Sequence, residues 1–386
     1  MTRRSWGVLL SGLCALAVGL ATGGALYYLA SFLLFGVWLG GLLSALLALL
    51  TLKVKPVTRT VRAARGESVS LRVRVGAVSP LPVAQIRVLA ASPMAEPQRG
   101  DMTVDPPWLG EKEYRYVMRC PHRGLGEVAF DGASVTDIFR LFTFTRSLKG
   151  AHTTLKILPR DRQRPPLTLE PGDTGVESRA RATEDAASPA DVRTWQDGDS
   201  LKKVHWKLSM RRREVVVRTY EESMRSDTLV LLDAAPPARD GSAGLYCQDA
   251  LCEAALSAAK AQLLIDHPVR MPVSGKAPFE LSGQGAWDYP RFVEKVGFMP
   301  FDGEYSFEQV VAVEMRRLLR TGAVILVTTR LSAQLAEAAL RMRRTRIWVS
   351  YLWISESETE DDVALLARMR LEGVQAERID PWEDAA

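Results

Sequence analysis

The chain has 386 residues, of which 47% are hydrophobic and 25% charged. That length suits about two domains, and that composition is globular and not disordered. The formal net charge is only +5 and the cysteines number four. The first is too mild to argue for nucleic acid, and the second excludes a disulfide scaffold. The averages hide an asymmetry: Ser5 to Leu52 contains no Asp, Glu, Lys, Arg or His. A simple soluble enzyme is excluded on that ground.

A run of 48 uncharged residues is too long for one spanning helix, which needs about 20. The spacing predicts two transmembrane helices, near Trp6–Ala21 and Leu26–Leu50, broken at Thr22-Gly23-Gly24, where helix propensity is lowest. Trp6, Tyr27 and Tyr28 fall near the helix ends, where amphipathic rings suit an interface. A cleaved signal peptide is the competing reading, with Arg3 and Arg4 as its basic region. The second apolar stretch would still leave an anchor after cleavage. Arg3 and Arg4 precede the hairpin and Lys53, Lys55, Arg59, Arg62 and Arg65 follow it, while the connection carries no charge. The positive-inside rule then places both termini in the cytoplasm of a multi-pass cell-membrane protein, with the lipid bilayer as its first partner. Cys14 lies in the hairpin, and Cys120, Cys247 and Cys252 match no metal spacing.

After this anchor (1–55), residues 56–160 read as a β-sandwich. Val69, Leu71, Val73 and Val75 alternate with polar residues, which is a strand with one wet side. Short runs follow at Val83–Leu89, Glu113–Met118, Gly126–Phe130 and Thr153–Leu158, punctuated by Pro and Gly. Asp137-Ile138-Phe139-Arg140-Leu141-Phe142 reads as core packing, with a docking surface as the alternative. Residues 161–190 are polar, Pro-containing and mixed in charge, hence a linker or a loop laid across the surface. From 222 to 386 the pattern is α/β. Strands at Thr228–Asp233, Val269–Val273, Ala323–Thr328, Ile347–Ile354 and Val374–Ile379 alternate with helices at Gly244–Asp266, Phe307–Leu319, Ala333–Met342 and Glu360–Leu371. That alternation means a doubly wound, largely parallel sheet. Ligands of such sheets sit beyond the strands' carboxyl ends, which here carry Asp233, Thr328, Thr329 and Arg330.

Between sandwich and sheet, residues 191–221 hold eight Lys or Arg against five acids. The segment reads as a turn at Gly198, a helix over Leu201–Met210 capped by Asp199 or Ser200, and a strand over Glu214–Tyr220. It resembles the hallmark of the domain of unknown function 58 family through Arg193, Trp195, Gly198, Asp199, Lys203, Trp206, Lys207, Arg211, Val217 and Arg218. Arg123-Gly124 and Asp137-Ile138-Phe139 look like further landmarks of that family. The resemblance implies two membrane helices, a β-rich region and a domain like von Willebrand factor type A. It implies no settled activity, and it implies a partner role beside a MoxR-type AAA+ ATPase at a bacterial inner membrane. Many relatives of the A-type domain carry a metal site of the form D-x-S-x-S. Here Asp233-Ala234-Ala235-Pro236-Pro237 lacks both serines, and Asp233 with Thr328 is all that remains. No metal or cofactor is expected.

Gly198-Asp199-Ser200-Leu201 spells the motif of the GDSL hydrolases, but the Asp-x-x-His partner is missing: Leu264 stands three before His267. A serine without a base is inert. His205 is expected on the same helix as Ser200, pointing elsewhere. No phosphate-cradling glycine motif is present. The expectation is a non-catalytic, membrane-anchored interaction protein. In it the basic hallmark is an internal ion-pair clamp or a docking site. The alternative is a binder of anionic lipid or nucleic acid through Arg211-Arg212-Arg213.

Overall fold

The computed structural model describes residues 3–79, 83–92, 95–97, 102–105, 110–148, 150, 152–165, 191–196, 204–219, 227–238 and 241–382. These form two compact units, residues 1–160 and 161–386.

The first unit opens with α1 (Arg3–Thr22) and α2 (Ala25–Thr51), of 20 and 27 residues. The turn between them falls where helix propensity is lowest, and Gly23 adopts a left-handed φ of 70° that a side chain would disfavour. Packing in this hairpin runs opposite to that of a soluble helix pair. The buried positions are Ser5, Gly12 and Gly19 of α1 and Ser31, Gly41, Ser44, Ala45 and Ala48 of α2. The large apolar side chains face outward, Leu26 79% and Phe32 76% exposed among them. Gly12 of α1 meets Leu34 and Phe35 of α2 and Gly19 meets Tyr27 and Tyr28, a close approach that small residues allow, while Gly41, Ser44, Ala45 and Ala48 of α2 face the sandwich.

Ten strands follow. They are β1 (Lys53–Pro56), β2 (Thr60–Ala64), β3 (Ser68–Gly76), β4 (Val83–Ala91), β5 (Glu96–Pro97), β6 (Met102–Val104), β7 (Glu111–Arg119), β8 (Gly124–Asp137), β9 (Thr143–Ser147) and β10 (His152–Leu158). One sheet has the order β1-β3-β7-β5 and the other β2-β10-β8-β4-β6, with β9 also paired to β8. Val69, Leu71, Val73 and Val75 of β3 share one core with Ile86 and Val88 of β4 and Phe130 and Val135 of β8. The alternation read from the sequence is therefore the buried face of a two-sheet sandwich. Only the β2–β10 pair is parallel among the described pairings of the two sheets.

Helix α2 continues into this sandwich. At about 1.5 Å per residue it is about 40 Å long, more than the about 30 Å of a hydrocarbon layer. Its last turns are held by the sandwich. Arg146 Nη1 donates to the carbonyls of Leu49 and Leu50, each at 3.2 Å. The Val78 N–H donates to Thr51 Oγ1 at 2.9 Å, and Ser79 Oγ donates to the Ser44 carbonyl at 3.2 Å. Arg146 thereby satisfies helix-end carbonyls that have no partner within the helix and adds a favourable charge there, while Val78 and Ser79 tie the helix through the Thr51 hydroxyl and the Ser44 carbonyl.

The Asp137–Phe142 turn makes the tightest contact. Asp137 is fully buried; its carboxylate accepts the Phe139 N–H at 3.0 Å and the Phe142 N–H at 2.6 Å. A Cβ on Gly41 would stand 3.0 Å from Asp137 Oδ2, so α2 needs glycine there. Leu141 and Phe142 pack inward against Ala45, and Phe142 meets Trp38 edge-on at 5.4 Å. Ile138 and Phe139 instead point outward, each 45% exposed. The core reading of this segment thus holds for Asp137, Leu141 and Phe142, while Ile138, Phe139 and Arg140 are surface.

The second unit comprises β11 (Asp191–Thr194), α3 (Trp206–Arg212), β12 (Val216–Thr219), β13 (Asp227–Leu232), α4 (Gly241–Leu263), β14 (Val269–Val273) and β15 (Phe279–Gly283). It continues with α5 (Tyr289–Gly297), α6 (Phe307–Glu314), β16 (Thr321–Thr328), α7 (Ala333–Arg344), β17 (Trp348–Ile354), α8 (Glu360–Leu371) and β18 (Gln375–Ile379). The main sheet has the order β15-β14-β13-β16-β17-β18, parallel except for β15. In β13, Val230 and Leu232 enter the core with α4 and α5, while Leu229 and Leu231 enter the core with α6, α7 and α8. Burial on both faces explains why these strands read as unbroken apolar runs. The sequence reading missed β15 and α5, and its helix over Phe307–Leu319 ends as α6 at Glu314, the rest being a 3₁₀ turn, Met315–Arg320. Residues 161–165, assigned to the linker or loop, lie against this unit. Arg162 Nε pairs with the buried Glu253 at 3.0 Å, and Arg164 pairs with Glu377 at 2.9 Å.

Asp137→Ala would strip two backbone N–H groups of their acceptor. It should destabilise the first unit by about 2–3 kcal/mol. Thermal unfolding of the detergent-solubilised full chain measures this, and Asp137→Asn, which keeps one acceptor, should lose less.

Candidate interaction surface

The hallmark segment folds differently from its sequence reading. Asp199, Ser200 and Leu201 lie outside the described residues, as do Gly198 and Lys203. The described helix is α3, Trp206–Arg212, and its cap is His205, whose Nδ1 accepts the Leu208 N–H at 3.2 Å. Val204, expected on the apolar face of that helix, instead bridges to Val217 of β12. A strand that the sequence reading did not expect, β11, pairs antiparallel with β12 and sets Arg193 opposite Val217 and Arg218 opposite Val192. Ser209 ties the helix down: its Oγ donates to the His205 carbonyl at 3.0 Å and accepts the Val216 N–H at 2.9 Å. The His205 N–H donates to the Val216 carbonyl at 2.8 Å, and the Trp195 N–H to the Val215 carbonyl at 2.8 Å. Arg213 ends the helix in a left-handed conformation, φ 55°.

The short helix therefore sits on a small hairpin with its inner face fixed. Its outer face carries Trp206, 61% exposed, and Met210, 82% exposed, four residues apart and so neighbours. Lys207 and Arg211 form the adjacent row, and Arg212 and Arg213 follow, all exposed. The structure brings Trp206, Lys207 and Arg211 together on one helix. With Nδ1 of His205 engaged in the cap, that nitrogen is not available as a base.

Asp233 and Thr328 meet at the carboxyl ends of β13 and β16, the point where the order of the sheet reverses. Thr328 Oγ1 donates to Asp233 Oδ2 at 2.8 Å, and the Ala235 N–H donates to Oδ1 at 3.1 Å. Arg330 closes the cluster. Its N–H donates to Thr328 Oγ1 at 2.9 Å and its Nε stands 3.6 Å from Asp233 Oδ2. Tyr351, fully buried, donates to the Arg330 carbonyl at 2.6 Å. Burial is the main cause raising the Asp233 carboxyl above its ordinary value, and the bonds from Thr328 and Ala235 and the charge of Arg330 oppose it. Burial, with the charges of Asp233 and Glu308, also raises the Tyr351 phenol. A divalent ion needs about six oxygen ligands. Here a single carboxylate already accepts two donors and faces a guanidinium, and among the described residues no group of three His, Cys, Asp or Glu is placed to hold a metal ion. These residues do not fit a divalent metal. Sequence reasoning named Asp233, Thr328 and Arg330 together at the strand ends, but Tyr351 carried no signal because its role depends on where β17 docks beside β16.

Residues 191–271 match the family model described as "Protein of unknown function DUF58". The match supports the DUF58 family. The matched stretch runs from β11 through α3, β12, β13 and α4 into β14, so it takes in the whole Trp206–Arg213 surface and Asp233. No curated protein matches the chain. Among solved structures, a cohesin–dockerin complex from Clostridium thermocellum is similar at 12% identity, over 28% of this chain and 94% of that one, with a TM-score of 0.19. A complex of zinc 2-glycoprotein and prolactin inducible protein from human seminal plasma is similar at 13% identity, over 28% and 92%, with a TM-score of 0.19. A non-cellulosomal cohesin from Archaeoglobus fulgidus is similar at 14% identity, over 28% and 91%, with a TM-score of 0.16. Scores this low carry no argument about the DUF58-matched chain.

A carboxyl raised by the fold binds its proton more readily folded than unfolded. The stability it contributes is present at low pH and is lost as pH rises through the folded value. Asp233→Asn removes that dependence. As pH rises from about 4 towards 7, the Tm of the wild type should fall relative to that of Asp233→Asn, measured by differential scanning fluorimetry on the solubilised chain.

Proposed function

We propose that this chain is a non-catalytic, membrane-anchored interaction protein. In this reading α1 and α2 cross a cell membrane as a hairpin, and both termini lie in the cytoplasm. Two features support the anchor. Among the described residues these are the two helices long and apolar enough to cross a membrane. Their outward faces are the oily ones. Sidedness rests on the flanking cations Arg3, Arg4, Lys53 and Lys55 and on the uncharged turn.

The observation that carries the interaction role is the exposed Trp206–Met210 row beside Lys207 and Arg211 on a helix pinned from below. Tryptophan, methionine and arginine are enriched in protein interfaces, and tryptophan and arginine dominate their binding energy. An exposed cationic rim speeds encounter with an acidic surface. The α/β unit then acts as a von Willebrand A-like platform, and the family resemblance points to a MoxR-type AAA+ ATPase at a bacterial inner membrane as the partner.

Crosslinking in intact cells followed by mass spectrometry tests this. The wild type should capture an AAA+ ATPase. Lys207→Glu with Arg211→Glu should reduce that capture at least tenfold, with Tm within about 2 °C of wild type, as expected of exposed positions. Unchanged capture by the double variant would count against the docking site. Capture of nucleic acid that disappears steeply with salt would favour a polyanion instead.

A further inference from the structure

The first unit holds a second cationic feature, unrelated to the hallmark segment. An open cavity of about 400 Å³ lies where the start of α1 meets the outer face of the sandwich. Arg3, Arg4, Arg87 and Arg140 line it, together with the hydroxyl residues Ser134 and Thr136. Arg87 of β4 pairs with Ser134 of β8 in register, and Gln85 pairs with Thr136. The floor of the cavity is thus a polar stripe that alternates with the buried Ile86 and Val135. Arg140 is presented by the turn that Asp137 organises, in a left-handed conformation with φ 55°. Among the described residues no carboxylate lines the cavity. Asp137, close by in sequence, is buried with its oxygens committed to the Phe139 and Phe142 N–H groups.

Four guanidinium groups around one cavity call for an anion, and phosphate suits them because each guanidinium can present two parallel N–H donors. The position of the cavity narrows the source. The uncharged run begins at Ser5, next to Arg4, so the cavity stands at the level where the outward-facing apolar residues of the hairpin begin. Ile138 and Phe139, exposed beside Arg140, add an apolar edge on the same turn. A ligand held by the cations of the cavity thus stands beside the apolar start of the hairpin and the exposed Ile138 and Phe139. That is the chemistry of a phospholipid, whose phosphate is joined to acyl chains. We propose that this cavity binds the phosphate of an anionic phospholipid headgroup and so seats the sandwich on the membrane surface. The proposal rests on the reading of α1 and α2 as a membrane hairpin.

The test uses the full chain purified in neutral detergent and native mass spectrometry with phosphatidylglycerol or phosphatidylcholine added to the micelles. The expected result is at least a tenfold preference for one retained phosphatidylglycerol over phosphatidylcholine. Arg87→Gln with Arg140→Asn should abolish that preference, the asparagine being chosen because it tolerates the left-handed conformation. Arg3 and Arg4 are left intact because they help set the orientation of the hairpin. Arg211→Gln with Arg212→Gln should leave the preference unchanged. Circular dichroism and Tm matching wild type certify that the variants fold. Equal phosphatidylglycerol retention by wild type and Arg87→Gln/Arg140→Asn overturns the proposal. So does displacement of the lipid by equimolar inorganic phosphate, which would make the ligand a free phosphate, or by an equimolar oligonucleotide, which would make it a nucleic acid. Alkaline carbonate washing of membranes from the expressing cells separates the two levels. Release of the full chain defeats the hairpin reading itself, whereas retention without lipid preference defeats only the cavity.

Discussion

The constraint on which the first unit depends is the exclusion of water from an inverted helix pair. In water, each large apolar side chain left exposed forgoes roughly 1.5–3 kcal/mol of burial. Leu10, Leu20, Leu26, Leu29, Phe32, Leu33, Leu39 and Leu50 all face outward. Gly12 and Gly19 of α1 pack against α2, and the small residues in the second half of α2 pack against the sandwich. The outer surface left on this pair is apolar and suits surroundings as oily as itself. The remainder of the unit follows. The sandwich grips the last turns of α2 through Arg146, Thr51, Ser79 and the Asp137 turn, so an apolar helix and the sandwich are joined by several side-chain contacts.

The second unit obeys the opposite rule. Its parallel strands are buried on both faces and its polar groups are drawn to the strand ends. There Asp233, Thr328 and Arg330 form a closed set of hydrogen bonds and charge. The guanidinium of Arg330 places a positive charge beside the carboxylate. Chemistry directed outward is found elsewhere, on the pinned helix of the hallmark segment, where aromatic, thioether and cationic side chains are exposed together.

Periodicity made much of this legible. The uncharged run marked the hairpin, the Val69–Val75 alternation marked a buried strand face, and the apolar runs ending at Asp233 and Thr328 marked the central strands. Edge elements were not legible: β5 and β6 are too short to show a period, and β15 has no helix before it to announce a strand. The hallmark helix was misplaced because Asp199 and Ser200 looked like caps, whereas Val204 bridges to Val217 and the described helix begins after His205. The arginine cavity left no local trace, since Arg3, Arg87 and Arg140 come from parts of the chain far apart in sequence and line one cavity only in the folded unit. Reading Asp137–Phe142 as core was half right for a similar reason: one carboxylate turns the chain so sharply that adjacent apolar residues part to opposite sides.

The central claim is that the outward faces of α1 and α2 are immersed in lipid. Site-directed spin labelling tests it most directly, with single cysteines at Phe32, Leu39, Ser31 and Ser44 in the full chain, reconstituted in bilayers after replacing its four native cysteines. Labels at Phe32 and Leu39 should be relaxed strongly by oxygen, which dissolves in lipid, and weakly by an aqueous nickel chelate, while those at Ser31 and Ser44 should be shielded from both. Strong relaxation of the Phe32 and Leu39 labels by the nickel chelate would contradict the account.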